Sequence, residues 1–308
     1  MANIISSERV KQYVIIYKTI DDKILCINEQ NFDNIIVSHK YQKKGVIIFQ
    51  KPVTKIGAKA FEHCTTLQHI ILPCLITRIE RNAFYDCCNL QNVSICDLAA
   101  WCNINFENIY ANPLYNGTKL YIGNRELREL SIPLDIVAIN DYAFSGCISI
   151  INAILPDNLT AIGDEAFSNC KNLISINIPN KVTSIGNYAF YNCTNLANIT
   201  ISDSVTEIGV HAFDNCIALS CVSIGKNVSV IGNYAFEDCP SLKVIISKAT
   251  TPPKLYYEDY YEERLIPLDI ENINKTENTH IEFIVVPKDC EQAYENSDWD
   301  SINDYQNY

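Results

Sequence analysis

One pattern recurs along most of the chain and limits what it can become more than any other feature. The pattern is Ile-Gly-x-x-Ala-Phe-x-x-Cys-x-x-Leu-x-x-Ile-x-Ile, and its first residue falls at Ile56, Ile79, Ile139, Ile162, Ile185, Ile208 and Ile231. From 139 to 231 every step is 23 residues, as is the step from 56 to 79. The aromatic returns as Phe61, Phe84, Phe144, Phe167, Phe190, Phe213 and Phe236. The thiol returns as Cys64, Cys87, Cys147, Cys170, Cys193, Cys216 and Cys239. Four residue types kept in phase over seven units specify a repeat architecture, with one coil per unit.

The chemistry of one unit predicts its shape. Leu173-x-x-Ile176-x-Ile178 and Leu196-x-x-Ile199-x-Ile201 alternate at period two and read as short strands. Proline or a turn pair ends them, as at Pro156, Pro179 or Ser202-Asp203. Val182 to Gly186 alternates again and predicts a second short strand. Asn187 to Cys193 fits one or two helical turns, with Ala189, Phe190 and Cys193 facing inward. A single coil cannot bury its own apolar side, so coils stack at about 4.8 Å and share one core. The fold class expected is a β-rich repeat solenoid.

The units, for example IGDEAFSNCKNLISINIPNKVTS at 162–184, resemble the BspA-like leucine-rich repeat family. The resemblance implies a leucine-rich-repeat stack with a β-rich N-terminal cap and an irregular C-terminal cap. It also implies surface proteins of bacteria or protozoa that adhere to host protein or to other cells. Three parts follow: residues 1–55 as the N-terminal β cap, 56–250 as the solenoid and 251–308 as an acidic C-terminal cap. In the first part, Lys11–Tyr17 pairs with Lys23–Ile27 and Asn34–Ser38 with Gly45–Phe49 as expected strands. In the last, Ile281–Val286 reads as a capping strand, and Ala293-Tyr294 and Trp299 resemble the family's cap.

The step from 79 to 139 is 60, one repeat plus 37 residues, and places an inserted island at about 97–130. Asn112 to Gly117 reads as a turn and Leu120 to Gly123 as a hairpin strand. A strand of the regular kind resumes at Leu127-x-x-Leu130-x-Ile132. Trp101 and Phe106 are the large apolar groups that would pin the island. Insertions in repeat proteins often contribute to binding, which makes Trp101, Tyr115 and Tyr121 candidate contacts.

Half of the fourteen cysteines occupy one repeat position. Stacked equivalents have parallel Cβ vectors, whereas a disulfide needs converging ones nearer ~3.8 Å. Zinc needs ligands around a point rather than along an axis. The spacing therefore favours a column of buried thiols acting as small hydrophobes. The other seven, Cys26, Cys74, Cys88, Cys96, Cys102, Cys221 and Cys290, show no CxxC spacing, and free thiols suit a reducing compartment without demanding one.

Charge and motifs exclude several functions. The net charge is −12, made of +4 over residues 1–55, −6 over 56–250 and −10 over 251–308. The repeats carry no basic stripe for nucleic acid. No run approaches the ~20 apolar residues of a membrane span, and the first twenty residues lack the apolar core of a secretory signal. Taken literally that address is cytoplasmic, against the surface or secreted location implied by the resemblance. His39, His63, His69, His211 and His280 form no HExxH or nucleophile motif, and His63 shares its slot with Asn169, Asn192 and Asn215. No phosphate loop and no calcium loop occurs, so no catalytic residue, metal, cofactor or small-molecule substrate is expected.

What remains is surface. Asn152, Ser175, Asn177, Asn198, Thr200 and Ser223 take outward strand positions, short, polar and uncharged. Such a face either binds a protein ligand, as solenoids do, or simply keeps the sheet soluble. The acidic Tyr-rich run around Tyr257, Tyr260 and Tyr261 reads as solvated surface. Two functions stay open: an adhesive protein-interaction module, with a host or cell-surface protein as ligand, and a cytoplasmic scaffold.

Overall fold

The computed structural model describes residues 12–259, 264–267, 281, 283–288, 290–297, 299 and 305–307. Tyr260, Tyr261, His280 and the rest of the acidic run, like the first eleven residues, lie outside them, as does the Tyr257 side chain. The chain forms two compact units, 1–128 with 140–150 and 129–139 with 151–308. Each is a stack of leucine-rich-repeat coils.

In the second unit two parallel ladders run coil to coil. One joins Ala138–Ile139, Ala161–Ile162, Ser184–Ile185, Glu207–Ile208, Val230–Gly232 and Lys254–Asp259, and ends antiparallel on Arg264–Pro267. The other ladder comes in two parts: Glu129–Ser131, Asn152–Ile154 and Ser175–Ile176, then Asn198–Thr200, Cys221–Ile224, Val244–Ser247, Phe283–Val286 and Tyr305–Asn307. Registers couple like with like, Ile162 to Ile185 and Ile185 to Ile208, so identical branched side chains stack inside.

The segment expected to be helical is a chain of tight turns. Ala189, Tyr191 and Cys193 each donate an N–H to the carbonyl three residues back. Two residues per coil then turn left-handed, such as Tyr188 at φ 55° and Asn192 at φ 57°. These reversals stop any helix. They also aim alternate N–H groups at the next coil: Tyr188 to Val210, Phe190 to Ala212 and Asn192 to Asp214, all at 2.8 Å. The Asn slot thus has a backbone cause, since the left-handed region favours Asn, Asp, His and Gly. Its occupants His63, Asp86, Gly146, Asn169, Asn192, Asn215 and Asp238 all have positive φ. Gly146 is required outright, because a Cβ there would lie 2.2 Å from the Leu114 carbonyl oxygen.

Inside the arc, Phe167, Phe190, Phe213 and Phe236 stack at 5.1–5.5 Å with near-parallel planes. Each fully buried ring is worth ~1.5–3 kcal/mol relative to exposure. The column thiols are buried and take part in no disulfide among the described residues. Cys193, Cys216 and Cys239 donate at 3.2 Å to Phe carbonyls of the preceding coil. The second unit closes on Tyr294 and Trp299, both fully buried. Tyr294 Oη bonds Ser247 Oγ at 2.6 Å, and Trp299 Nε1 donates to the Pro253 carbonyl at 2.8 Å.

In the first unit Val14–Thr19 lies between Gly45–Phe49 and Leu67–Ile71, antiparallel to both, and Ile36–Tyr41 pairs outside Gly45–Phe49. Lys23–Ile27 is not a strand, contrary to expectation. Both edges of Val14–Thr19 are already taken, and Tyr17 Oη accepts the Leu25 N–H at 3.1 Å instead.

The island is also corrected. Asn105–Phe106 pairs in parallel with Arg78–Ile79, with Phe106 opposite Ile79. Lys119–Ile122 pairs with Asn92–Ile95. Both ladders of this unit therefore continue through residues 97–122. The step of 60 is a further coil anchored at Phe106, entered by the short helix Leu98–Cys102 and left through the hairpin Lys119–Ile122 with Arg125–Glu126. Steps of 27 and 33 replace one repeat plus 37 (79 to 106, 106 to 139).

Candidate interaction surface

Strand pairing places the outward residues of the second unit in two rows. Glu129, Asn152 and Ser175 are in register, as are Asn198, Cys221 and Val244. Two positions along, Ser131 faces Ile154, and Thr200 faces Ser223 and then Ile246. The face is thus not uniformly polar. Ile154 is 63% exposed, and Glu129 brings a carboxylate.

Of the six residues expected to form the face, four are bound up in the stack. Asn152 Nδ2 donates to the Glu129 carboxylate at 3.0 Å, and Asn152 Oδ1 accepts from Ser175 Oγ at 2.7 Å. Asn177 bridges to the neighbouring coil: its Oδ1 accepts the Leu155 N–H at 2.8 Å and its Nδ2 donates to the Leu155 carbonyl at 3.2 Å. In regular coils a backbone carbonyl takes that N–H, as Ser223 does for Ile201 at 2.7 Å. Asn177 therefore supplies the rung missing just beyond the Ala153–Ile176 pair. Asn198 Oδ1 accepts from Ser220 Oγ at 3.1 Å, while Thr200 is exposed and Ser223 half-buried.

The three island residues behave differently. Trp101 is fully buried and donates its indole N–H to the Ala143 carbonyl at 2.9 Å, which removes it as a contact residue. Its ring packs on Phe106 with centroids 5.3 Å apart. Tyr115 Oη accepts the Asp86 N–H at 2.9 Å, and burial raises its pKa. Tyr121 is half-buried and bonds Glu126 at 3.4 Å.

Two features escaped the sequence reading. Cys74 and Cys96 form a disulfide. They lie 22 residues apart rather than 23, so they are diagonal neighbours on adjacent coils and their side chains converge. The second is a cluster on the turn arc, where His211 Nδ1 lies 2.7 Å from Asp214 and 3.7 Å from Glu237. His211 looked isolated because its partners sit three and twenty-six residues ahead.

Thiol chemistry is suppressed along the column. Burial pushes Cys64 and Cys239 up to about 12, and Cys193 and Cys216 well above the ordinary range. A thiol that stays protonated neither attacks nor ligates. His63 bonds Asp86 in the next coil at 2.9 Å, the counterpart of the Asn192-to-Asn169 rung at 2.7 Å, so its neighbour Cys64 gains no base. No helix among the described residues is long and apolar enough to cross a membrane.

With coil, ladder and turn all of leucine-rich-repeat type, the family follows. This chain belongs to the BspA-type leucine rich repeat region family. The family model matches in six copies, over residues 37–121 and 117–243. No curated protein matches the chain. Among solved structures it is similar to a T. pallidum leucine rich repeat protein, at 32% identity and TM-score 0.39, covering 41% of this chain and 60% of that one. It is also similar to the pneumococcal vaccine antigen PcpA, at 16% identity and TM-score 0.48, covering 79% and 68%. A leucine-rich repeat protein from Eubacterium ventriosum matches at 16% identity and TM-score 0.42, covering 82% and 70%. The match therefore spans less than two thirds of the T. pallidum protein. BspA-type repeats support a role as an interaction module, built to present a surface.

Proposed function

We propose that this chain is a non-enzymatic adhesion module that binds a host or cell-surface protein through the outer strand row of its second unit. The pair Thr200 and Ser223, side by side on adjacent strands, carries this reading. It sets short polar groups on paired, rigid strands, with Thr200 and Ser223 outside the hydrogen bonds that occupy Asn152, Ser175 and Asn177. Rigid strand positions order few rotamers on binding, which lowers the entropic cost of a contact. The partly exposed Tyr121 is a second, smaller contact. The Cys74–Cys96 bond favours an oxidising location outside the cell.

The test is retention of the purified chain on cell-surface and matrix extracts beside its Thr200→Arg variant. Retention of the wild type and loss in the variant is the expected outcome. No retention, or equal retention of both, rejects the reading. The exposed free thiols of Cys26 and Cys88 favour the second reading, a cytoplasmic scaffold. Surface protease applied to intact source cells separates the two, since a scaffold survives it.

A further inference from the structure

Asp214 and Glu237 fill the same slot in consecutive coils, the sixth residue after anchors Ile208 and Ile231. The coils before them carry Ser145, Ser168 and Tyr191 in that slot. Stacking holds the two carboxylates side by side, and the turn of the earlier coil swings His211 onto both. One ligand atom from each of the three residues lies within 4.8 Å of the others. Asp214 is buried, and the side chains of His211 and Glu237 are 20% and 22% exposed. The rings of Tyr188 and Tyr234 flank the imidazole at 4.7 and 4.9 Å and hold its plane.

The charge here does not balance. Among the described residues the ion pairs of Asp214 and Glu237 run to His211 alone, with no Lys or Arg on either. Two carboxylates against one imidazole leave net negative charge in a half-buried place. A divalent cation would reverse that cost.

We propose that His211, Asp214 and Glu237 form a site for a divalent transition-metal cation of the Zn²⁺ class. Imidazole with carboxylates is a ligand set such ions take, and the imidazole disfavours Ca²⁺ and Mg²⁺. Bonds of ~2.0–2.2 Å in a tetrahedron put ligand atoms ~3.3 Å apart. The His211–Asp214 and His211–Glu237 distances of 2.7 and 3.7 Å bracket that value, and all three ligand atoms lie within 4.8 Å of one another. Three ligands leave a fourth position on the exposed side for water or for a group from a partner.

The test titrates the full chain with Zn²⁺ in a calorimeter and with Co²⁺ in a spectrometer. The variants borrow residues that other coils carry in the same slots. His211→Asn follows Asn82, which holds its slot at φ 60°. Asp214→Ser follows Ser168, and Glu237→Gln keeps the shape. The wild type should take up one Zn²⁺ with a rise in melting temperature, and Co²⁺ should give a nitrogen–oxygen spectrum without thiolate charge transfer. Each variant should lose that uptake. Glu237→Gln should melt, metal-free, no lower than wild type, so it decides the matter if another variant misfolds. No uptake by the wild type overturns the site and leaves a plain ion-pair cluster. So does a thiolate spectrum, or uptake unchanged in Glu237→Gln.

Discussion

Coils 162–239 and the coil anchored at Phe106 solve one packing problem with different chemistry. In the regular coils Phe fills the centre, and its N–H bonds the Ala carbonyl of the next coil, as Phe167 does to Ala189 at 2.8 Å. In the irregular coil the slots for Ala, Phe and Cys hold Tyr110, Ala111 and Leu114. Tyr110 still accepts the Phe84 N–H at 3.0 Å. Ala111 has no ring, and its N–H turns back to Asn108 at 3.0 Å. The Ala143 carbonyl receives the Trp101 indole N–H instead, and Asn112 Nδ2 donates to the adjacent Tyr142 carbonyl. One side chain from the entry helix thus supplies both the buried ring and the missing donor. The stack constrains where donors and volume must be, and leaves open which residue brings them.

Five substitutions and a pH series test that comparison. Phe190→Ala should have the largest effect, a loss of about 3–5 kcal/mol in denaturant unfolding, because neighbouring rings cannot close the cavity. A loss near 1 kcal/mol would mean the column is looser than its stacking implies. Trp101→Phe keeps a ring and removes only the donor. It should cost about 1–3 kcal/mol, the penalty for a buried carbonyl left unpaired. An unchanged midpoint would show that Asn112 Nδ2, which also lies 3.5 Å from the Ala143 carbonyl, satisfies it alone. Next comes Asn177→Ala at about 1 kcal/mol. Its control, Thr200→Ala on the same face, should stay within about 0.5 kcal/mol. Equal effects would remove the distinction between the repaired ladder and the free row.

That distinction also marks what could be read from sequence. In the regular coils each slot constrains a residue type, so periodicity alone places Ile, Phe and Cys in the core. At Phe106, Tyr110, Ala111 and Leu114 no slot keeps its type, and a search for the pattern finds an insertion where the backbone makes a coil. Trp101 reads both as a pin for the island and as a contact, because nothing nearby in sequence names the carbonyl it bonds, 42 residues on. Cys74 and Cys96 lie off the column, where the 23-residue period does not say which side chains converge. Asp214 and Glu237 look solvent-facing one coil at a time. Only stacking makes them neighbours.

The two units should also part company with pH. Burial lowers the pKa of His39 and His69 in the first unit below the ordinary 6.5. The unfolded chain then binds more protons than the folded one just below pH 6.5. Stability of this unit is therefore complete above that value and falls on acidification. Glu237 has the opposite sign: its raised folded pKa means acidification from neutrality relieves the second unit. Hydrogen exchange at pH 7 and pH 5.5 should show protection falling around His69 and not around Glu237. A uniform response would break the assignment. The smallest effect belongs to Ser145→Ala, since the buried Oγ has no partner among the described residues and its removal should shift the midpoint by under about 0.5 kcal/mol in either direction.

The Cys74–Cys96 bond has a mechanical meaning. An extended residue spans at most ~3.3–3.6 Å, so the 22-residue segment it closes withholds roughly 75 Å of contour length from any pull on the chain ends. Pulled from its ends, the protein would pay out its other coils while the loop between these cysteines stayed shut. Reduction would release the held length as a single longer extension, making this bond a stop whose setting depends on the redox state of the surroundings.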